Sequence, residues 1–239
     1  MILTHTNLRR PIKRELGPLR RTREECQEAY ARNPVWGALF SDHMVSGMYT
    51  PREGWHDLRV APLGTFSFPP SASVLNYGQS IFEGMKAYWQ PDGSIAAFRP
   101  HMNAKRFAAS AERLAMPPVP EDVFMDSLCA LVEADRAWVP HDYGKSLYIR
   151  PIMFSDEFRL MTRPADNYRF VVFACPVGDY FPNGVKPVTV WVSSNYVRAV
   201  RGGGWRGQVC WELRRWVLGA KGSRQKGVRS SRLARCHRS

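Results

Sequence analysis

Apolar and polar residues follow two different periods along the chain before Val200, and these periods predict its elements. Segments rich in β-branched and aromatic residues predict strands. They are "ALFSDHMVSGMYT", "QSIFEGMKAYW", "SIAAFRP", "KSLYIRPIMF", "YRFVVFACPVG" and "KPVTVWVSS". Asp92-Gly93 lies between the second and third of these segments and predicts a β-hairpin.

Two segments between the strands have helical spacing instead. Asn103 is a good N-cap for "AKRFAASAERLAM", in which Phe107, Ala111 and Leu114 share one face. The segment "EDVFMDSLCALVEADRAWV" predicts a second amphipathic helix, whose expected inward positions are Phe124, Leu128, Leu131, Val132 and Trp138. Strands followed by two helices and then by more strands predict an α+β fold, a mixed sheet with helices on one face.

The positive charge of the chain is concentrated at its C-terminal end. The net charge is +13, but residues 1–200 contribute only +3 and residues 201–239 contribute +10. A basic tail of this kind raises the possibility of nucleic-acid binding. The tail has no helical period and no known motif, so we expect such binding to be incidental. The polar and charged composition of residues 1–35 predicts a solvated arm with a short helix near Arg23–Arg32.

The five cysteines are odd in number and widely spaced, with no CxxC pair, which predicts neither a disulfide framework nor a zinc site. No apolar run is long enough to span a membrane. The N-terminus lacks the apolar stretch of a secretory signal. Together these features favour a cytoplasmic protein with reduced thiols.

Several residues are candidates for site chemistry from their local context. Arg99 follows a strand and precedes a helix, where it could bind a phosphate, although spacing alone favours a surface arginine. Tyr148 and Arg150 lie on one side of an apolar strand, so Arg150 needs either an anionic ligand or a structural ion pair. Tyr180 either lines a pocket or packs. Lys86 is in an apolar setting, where a snorkelling lysine is favoured over a Schiff-base lysine.

Four strings together resemble the branched-chain amino acid aminotransferases: "VLNYGQSIFEGMKAYW", "FRPHMNAKRFAASAERLAMP", "SLYIRPIMF" and "CPVGDYFPNG". These are pyridoxal-phosphate enzymes with the D-amino-acid-aminotransferase-like fold, fold type IV. The resemblance extends from about Trp36 to about Val200. It implies transamination of leucine, isoleucine or valine with 2-oxoglutarate, in a homodimer.

The resemblance also implies roles for individual residues. Arg99 is expected to bind the cofactor phosphate. Five residues are expected to form the walls of the substrate pocket: Phe40, Tyr77, Tyr148, Arg150 and Tyr180. Two other enzymes of the same fold type, D-amino acid transaminase and aminodeoxychorismate lyase, are alternatives. The strings "FEGMKAYW" and "LYIRP" favour the branched-chain family over both.

The resemblance ends inside "AVRGGGWRGQVCWELRRW", where the family has a glycine-rich turn, Ala-Lys and then Gly-Asn-Tyr-Ala. When the codons from Gly204 onward are read one base later, they allow Gly-Gly-Ala-Ala-Lys-Cys-Ala-Gly-Asn-Tyr-Ala-Ala. The lysine codon then straddles Gln208 and Val209. We therefore expect a loss of reading frame between about Ala199 and Gly204.

This shift predicts a chain without the family's Schiff-base lysine, which is therefore expected to be inactive and unable to attach the cofactor covalently. The expected organisation is an arm (1–35), a complete small α+β domain (36–185), the start of the cofactor-binding domain (186–201) and an out-of-frame basic tail (202–239). Most of the large second domain is then absent, and neither Lys221 nor Lys226 lies in a matching motif.

Overall fold

The structure is a computed structural model that describes residues 1–4, 8–18, 21–32, 36–178 and 187. Within these ranges the elements follow one another as β1 (Lys13–Arg14), α1 (Arg23–Arg32), β2 (His43–Thr50), β3 (Gly54–Pro62), α2 (Ser73–Tyr77), β4 (Ser80–Phe82), β5 (Met85–Trp89), β6 (Ile95–Ala97), α3 (Pro100–Arg113), α4 (Glu121–Ala134), a 3-10 helix (Arg136–Trp138), β7 (Ser146–Ser155) and β8 (Tyr168–Val177). The predicted α+β class is confirmed.

The strands form one mixed sheet in the order β1-β3-β2-β8-β7-β5-β6, and β4 also pairs with β7. The β1–β3 pair is parallel, and the other strand pairs in the described ranges are antiparallel. The predicted hairpin joins β5 to β6, with Gly93 at a φ of 81°. Glycine tolerates this left-handed conformation because it has no Cβ.

The alternation of side chains along β7 gives the sheet two different faces. Leu147, Ile149 and Met153 point to the side that the helices cover, and all three are fully buried. Tyr148 and Arg150 point to the opposite side and are only partly buried. The sheet therefore separates the main core from a second, more open face.

Aromatic rings join the two central helices to the sheet. Phe107 of α3 and Phe124 of α4 lie 5.4 Å apart between ring centroids, and they lie 5.7 and 6.1 Å from Phe170 of β8. None of the three side chains is exposed. The predicted inward positions Phe124, Leu128, Leu131, Val132 and Trp138 are confirmed, since all five are buried, although Trp138 lies in the 3-10 helix that follows α4. On the first helix Phe107 and Ala111 are buried, whereas Leu114 follows the end of α3 and is only partly buried.

The predicted start of the first central helix is wrong by one turn. Helix α3 begins at Pro100, with Arg99 as its N-cap residue at a φ of 47°. Proline is favoured at the first position of a helix, because its fixed φ suits the helical backbone and an N–H at this position would have no partner within the helix. Asn103 lies inside the helix, where its amide donates to the Glu83 carboxylate at 2.8 Å instead of capping the helix.

The N-terminal segment is not simply a solvated arm. Leu3, Ile12 and Cys26 are buried in the main core, and Leu3 N–H donates to the Ile95 carbonyl at 2.7 Å. The short helix is confirmed as α1. The charged residues around these single apolar positions obscured their burial in the sequence pattern. The predicted segments 186–201 and 202–239 lie outside the described residues, apart from Pro187.

Replacing Phe107 with alanine is expected to lower the free energy of unfolding by about 3–5 kcal/mol, because the change leaves a cavity between α3, α4 and the sheet. Phe98, which is 80% exposed, provides a matched control. Phe98→Ala is expected to change stability by less than about 0.5 kcal/mol. Urea unfolding of both variants measures the difference, and equal losses would contradict this account of the core.

Candidate functional site

The open face of the sheet holds an arginine whose charge is not neutralised by the described residues. Arg150 donates from Nη2 to the Tyr148 hydroxyl at 2.9 Å. Its guanidinium carbon lies 4.7 Å from the ring centroid of Phe82 and 5.3 Å from that of Tyr148. No carboxylate within the described ranges lies close enough to pair with it. Of the two interpretations of Arg150, the geometry favours a site for an anionic ligand.

Aromatic side chains surround this arginine. Phe40 contacts Phe173 edge to face, with centroids 5.8 Å apart, and Phe173 is the partner of Arg150 in the β7–β8 register. Trp36 lies 5.7 Å from the Tyr148 ring on the other side. The structure thus brings three of the predicted pocket residues, Phe40, Tyr148 and Arg150, onto one face. Their arrangement provides a cationic donor set between apolar walls.

Gly84, in the connection between β4 and β5, lies directly against the Tyr148 hydroxyl. A Cβ at this position would collide with that hydroxyl. The missing side chain at Gly84 therefore permits the close approach that places the phenol beside Arg150.

A buried carboxylate fixes the backbone next to Gly84. Glu83 is fully buried and accepts hydrogen bonds from Arg106 through both carboxylate oxygens, from Asn103 and from the Gly84 N–H. The hydrogen bond to Glu83 raises the pKa of the Arg106 guanidinium. Since Arg106 and Asn103 belong to α3, this network ties the helix to the β4–β5 connection.

Two further polar side chains lie near Tyr148. Lys86 is opposite Tyr148 in the β5–β7 register, and its Nζ is 5.4 Å from the Trp36 centroid. This half-buried position over an aromatic ring agrees with the favoured interpretation of Lys86 as a snorkelling residue. Cys175 is the β8 partner of Tyr148. Burial raises the pKa of its thiol, and the nearby Arg150 partly offsets the effect.

Arg99 lies at a second position suited to an anion. It is exposed, and its guanidinium forms no hydrogen bond with the described residues. It also precedes the first turn of α3, whose backbone N–H groups and positive dipole end attract phosphates.

The structure does not bring Tyr77 to the same place. Tyr77 ends α2, is 45% exposed and lines a different cavity with Arg163. Helix α2 is fixed to the far end of β7, where the Ser73 hydroxyl donates to the Ser155 hydroxyl at 2.8 Å. Ser155 lies five residues after Arg150 along β7, a distance of about 17 Å. Tyr180, Gln208 and Val209 lie outside the described residues, as does the basic tail.

Three residues that shape this face were not predicted from the sequence. Phe82 lies against the Arg150 guanidinium, Gly84 lies against the Tyr148 hydroxyl, and the Glu83 carboxylate accepts the Gly84 N–H. The string "IFEGMK" did contain a signal, because a carboxylate inside an apolar strand segment must find partners. The partners, Asn103 and Arg106, come from another element and could not be identified from spacing.

Comparison with solved structures defines the fold. The fold is that of the class IV aminotransferases. A branched-chain aminotransferase from Thermoproteus uzoniensis, solved with norvaline, aligns with a TM-score of 0.63 at 19% identity, covering 81% of this chain and 60% of that chain. The enzyme from Thermobaculum terrenum in its PLP form aligns with a TM-score of 0.60 at 18% identity, covering 82% and 59%. At these identities the structures show the fold alone.

Sequence comparison identifies the family. A probable branched-chain-amino-acid aminotransferase of Streptomyces coelicolor is 51% identical over 176 residues, 73% of this chain and 49% of the relative. The Bacillus subtilis branched-chain-amino-acid transaminase 1 is 43% identical over 169 residues, 70% and 48%. The chain therefore belongs to the branched-chain-amino-acid aminotransferase family.

The chain spans about half the length of the curated relatives that it matches. No model of a protein family matches it. Among the described residues, no helix is both long enough and apolar enough to cross a membrane.

Replacing Arg106 with methionine is expected to lower the free energy of unfolding by about 1–3 kcal/mol, since it leaves the buried Glu83 without its countercharge, although Asn103 and the Gly84 N–H still donate to it. Arg159, which is 62% exposed and only loosely paired with Glu157, provides the control. Arg159→Met is expected to cost less than about 1 kcal/mol. Urea unfolding compares them, and an Arg106→Met variant as stable as the control would rule out this role for the network.

Gly84→Ala is expected to cost about 1–3 kcal/mol of stability, because the new methyl group displaces the Tyr148 ring. In a Tyr148→Phe background the same change is expected to cost less, since the nearest atom, the hydroxyl, is absent. A double-mutant cycle measured by chemical unfolding gives the coupling energy. Strict additivity would show that the two residues do not press on one another.

Proposed function

We propose that this chain forms the substrate-binding half of a branched-chain amino acid aminotransferase, which exchanges the amino group of leucine, isoleucine or valine with 2-oxoglutarate. One observation carries the proposal: Arg150 is held by Tyr148 on an aromatic face without a carboxylate partner among the described residues. A guanidinium in this position is suited to bind the carboxylate that every substrate of the reaction carries.

The walls of the site are suited to the side chains of these substrates. Phe40, Phe82 and Phe173 offer apolar surface around Arg150 and no hydrogen-bond donors or acceptors. Leucine, isoleucine and valine likewise present only apolar surface beyond the α-carbon. Arg150 then binds the carboxylate that all substrates share, and the three phenylalanines exclude water from the substrate side chain, which differs between substrates.

Pyridoxal phosphate is the cofactor that the fold implies, and Arg99 fits its phosphate. The exposed guanidinium has no partner in the described ranges and lies at the N-terminus of α3, so the two features attract the same anion. When bound, the cofactor supplies an electron sink for the substrate α-carbon. Arg99 would hold the cofactor phosphate and Arg150 would orient the substrate carboxylate, and the hydroxyl of Tyr148 accepts a hydrogen bond from the Arg150 guanidinium.

The proton shuttle of the reaction needs a lysine that the written sequence does not place in the family's motif. We propose that the reading frame is lost between about Ala199 and Gly204 and that the chain as written does not transaminate. The shifted codons supply the support, since they restore the lysine at the junction of Gln208 and Val209 together with the glycine and asparagine positions around it. Lys86, held over Trp36 on β5, is not in that motif.

The other chemistries of this fold type have less support. D-amino acid transaminase and aminodeoxychorismate lyase share the architecture. The relatives at 43–51% identity are named as branched-chain enzymes, which favours that substrate class for this chain. Nothing in the described residues favours nucleic-acid binding.

We propose a homodimer as the working assembly. The family resemblance places Tyr77 in a pocket wall, yet Tyr77 lies far from Arg150 along β7. A second copy of the chain would reconcile the two observations, because its Tyr77 would reach the pocket from outside. The odd number and wide spacing of the cysteines support the cytoplasm as the location.

Two genes test the proposal: the gene as written and a version with the frame restored between the codons for Ala199 and Gly204, after resequencing from Tyr196 to Gly222. We expect leucine-dependent formation of glutamate from 2-oxoglutarate only with the restored version. In that version Arg150→Met is expected to reduce kcat/KM for leucine by about 10- to 100-fold, because a charge-assisted hydrogen bond to the carboxylate is lost.

Arg159→Met in the restored protein provides the control for a surface arginine and is expected to leave kcat/KM unchanged. Transamination by the chain as written would contradict the proposed loss of the lysine. An unchanged kcat/KM in Arg150→Met would contradict the proposed site.

A further inference from the structure

Strand β6 is the last strand on one side of the sheet, and its outer edge is uncharged. Its residues Ile95–Ala97 are apolar, and Phe98 after them is 80% exposed. An uncharged edge strand can add a strand from another chain when its outward N–H and C=O groups are unpaired. The opposite edge is protected differently, because β1 has only two residues, both of them exposed and positively charged. The β6 edge therefore needs a cover.

The first four residues of the chain, which we call the edge cap, provide this cover. The Leu3 N–H donates to the Ile95 carbonyl at 2.7 Å, and the Ala97 N–H donates to the Met1 carbonyl at 2.9 Å. The Ile95 N–H donates to the hydroxyl of Thr4 at 3.1 Å. Three backbone groups that β6 turns away from β5 are thus paired with the edge cap instead of being open to another strand.

A small number of contacts hold the edge cap in place. Leu3 is fully buried in the main core, whereas its neighbour Ile2 is 49% exposed. Further along the chain, the Arg10 backbone N–H donates to the Asp126 carboxylate at 2.8 Å, and Arg10 Nε donates to the Asp122 carboxylate at 2.7 Å. These two bonds tie the segment after the edge cap to α4. A short segment with one buried apolar anchor opens at a lower free energy than the core.

An open edge cap would leave β6 as an apolar edge strand with unpaired backbone groups. The strand that complements it is the same strand of a second copy, because two identical edges can pair antiparallel about a two-fold axis. We propose that the edge cap shields β6 and that β6, when the edge cap opens, pairs with the β6 edge of a second copy. This is a second mode of association, in addition to the homodimer proposed for transamination.

The test compares two neighbouring positions of the edge cap in the full chain. Leu3→Asn removes the buried anchor, and Ile2→Asn makes a closely similar change at an exposed position. Native-state hydrogen exchange, resolved to single amides, follows the N–H groups of Ile95 and Ala97. We expect Leu3→Asn to speed the exchange of both amides by about tenfold or more, and Ile2→Asn to change it by less than about twofold.

Sedimentation velocity over a range of protein concentrations measures the association. We expect Leu3→Asn to form a larger species that increases with concentration and that neither Ile2→Asn nor the unchanged chain forms. Adding Phe98→Lys to Leu3→Asn is expected to reduce this species, because a charge at the end of an edge strand opposes pairing. The double variant is expected to keep the fast exchange of the Ile95 amide, since its edge cap is still open.

Arg10→Met is a milder change that releases the edge cap from α4 and is decisive if Leu3→Asn does not fold. We expect it to speed exchange at Ile95 and Ala97 by about threefold or more and to promote the same association. The neighbouring Arg9, which is exposed, provides the control, and Arg9→Met is expected to have neither effect. The amide of Val172 in the central strand β8 reports global unfolding and is expected to stay protected in every variant.

Unchanged exchange at Ile95 and Ala97 in a folded Leu3→Asn variant would show that the edge cap does not shield β6. An equal rise at Val172 would overturn the proposal too, because the edge cap would then not open by itself. Faster exchange without association, or association that Phe98→Lys does not reduce, would exclude pairing through β6. None of these measurements depends on transamination, so the proposed function and this edge can fail independently.

Discussion

The buried carboxylate of Glu83 is the interaction on which the arrangement of the open face depends. A fully buried negative charge is tolerated only with a countercharge and satisfied oxygens, and α3 provides both through Arg106 and Asn103. The same carboxylate accepts the N–H of Gly84. The helix that packs on one side of the sheet thereby fixes a backbone segment that contacts Tyr148 on the other side.

The sheet separates two kinds of chemistry. Its helix-covered face is filled by aliphatic residues and by the cluster of Phe107, Phe124 and Phe170. Its other face carries aromatic side chains that are not completely covered, together with a cationic arginine. Strand alternation explains how neighbouring residues on β7 take part in both. A well-packed face thus supports an open face on which Tyr148 and Arg150 are held in place.

Several arginines of this chain have no anionic partner among the described residues. Arg150 and Arg99 lack anionic partners in the described ranges and lie on or next to the open face. Arg23 and Arg136 also lack them, but lie around Trp89. Other arginines are paired, such as Arg21 with Asp42 at 2.7 Å and Arg169 with Asp156 at 2.6 Å.

The sequence by itself determined the α+β class, the β5–β6 hairpin, the inward faces of both central helices and the shared side of Tyr148 and Arg150. These features depend on the local period of two or 3.6 residues, which is visible in a single chain. It also led to the family through the strings around Arg99, Tyr77 and Tyr148.

Only the tertiary structure decided which distant residues meet. It paired Glu83 with Arg106, put Gly84 against Tyr148, placed Phe82 beneath Arg150 and separated Tyr77 from them. It also showed that α3 begins at Pro100 rather than after Asn103, and that Leu3, Ile12 and Cys26 are buried in the core. Such contacts join residues from different elements, and their partners are set by strand register and helix packing rather than by spacing along the chain.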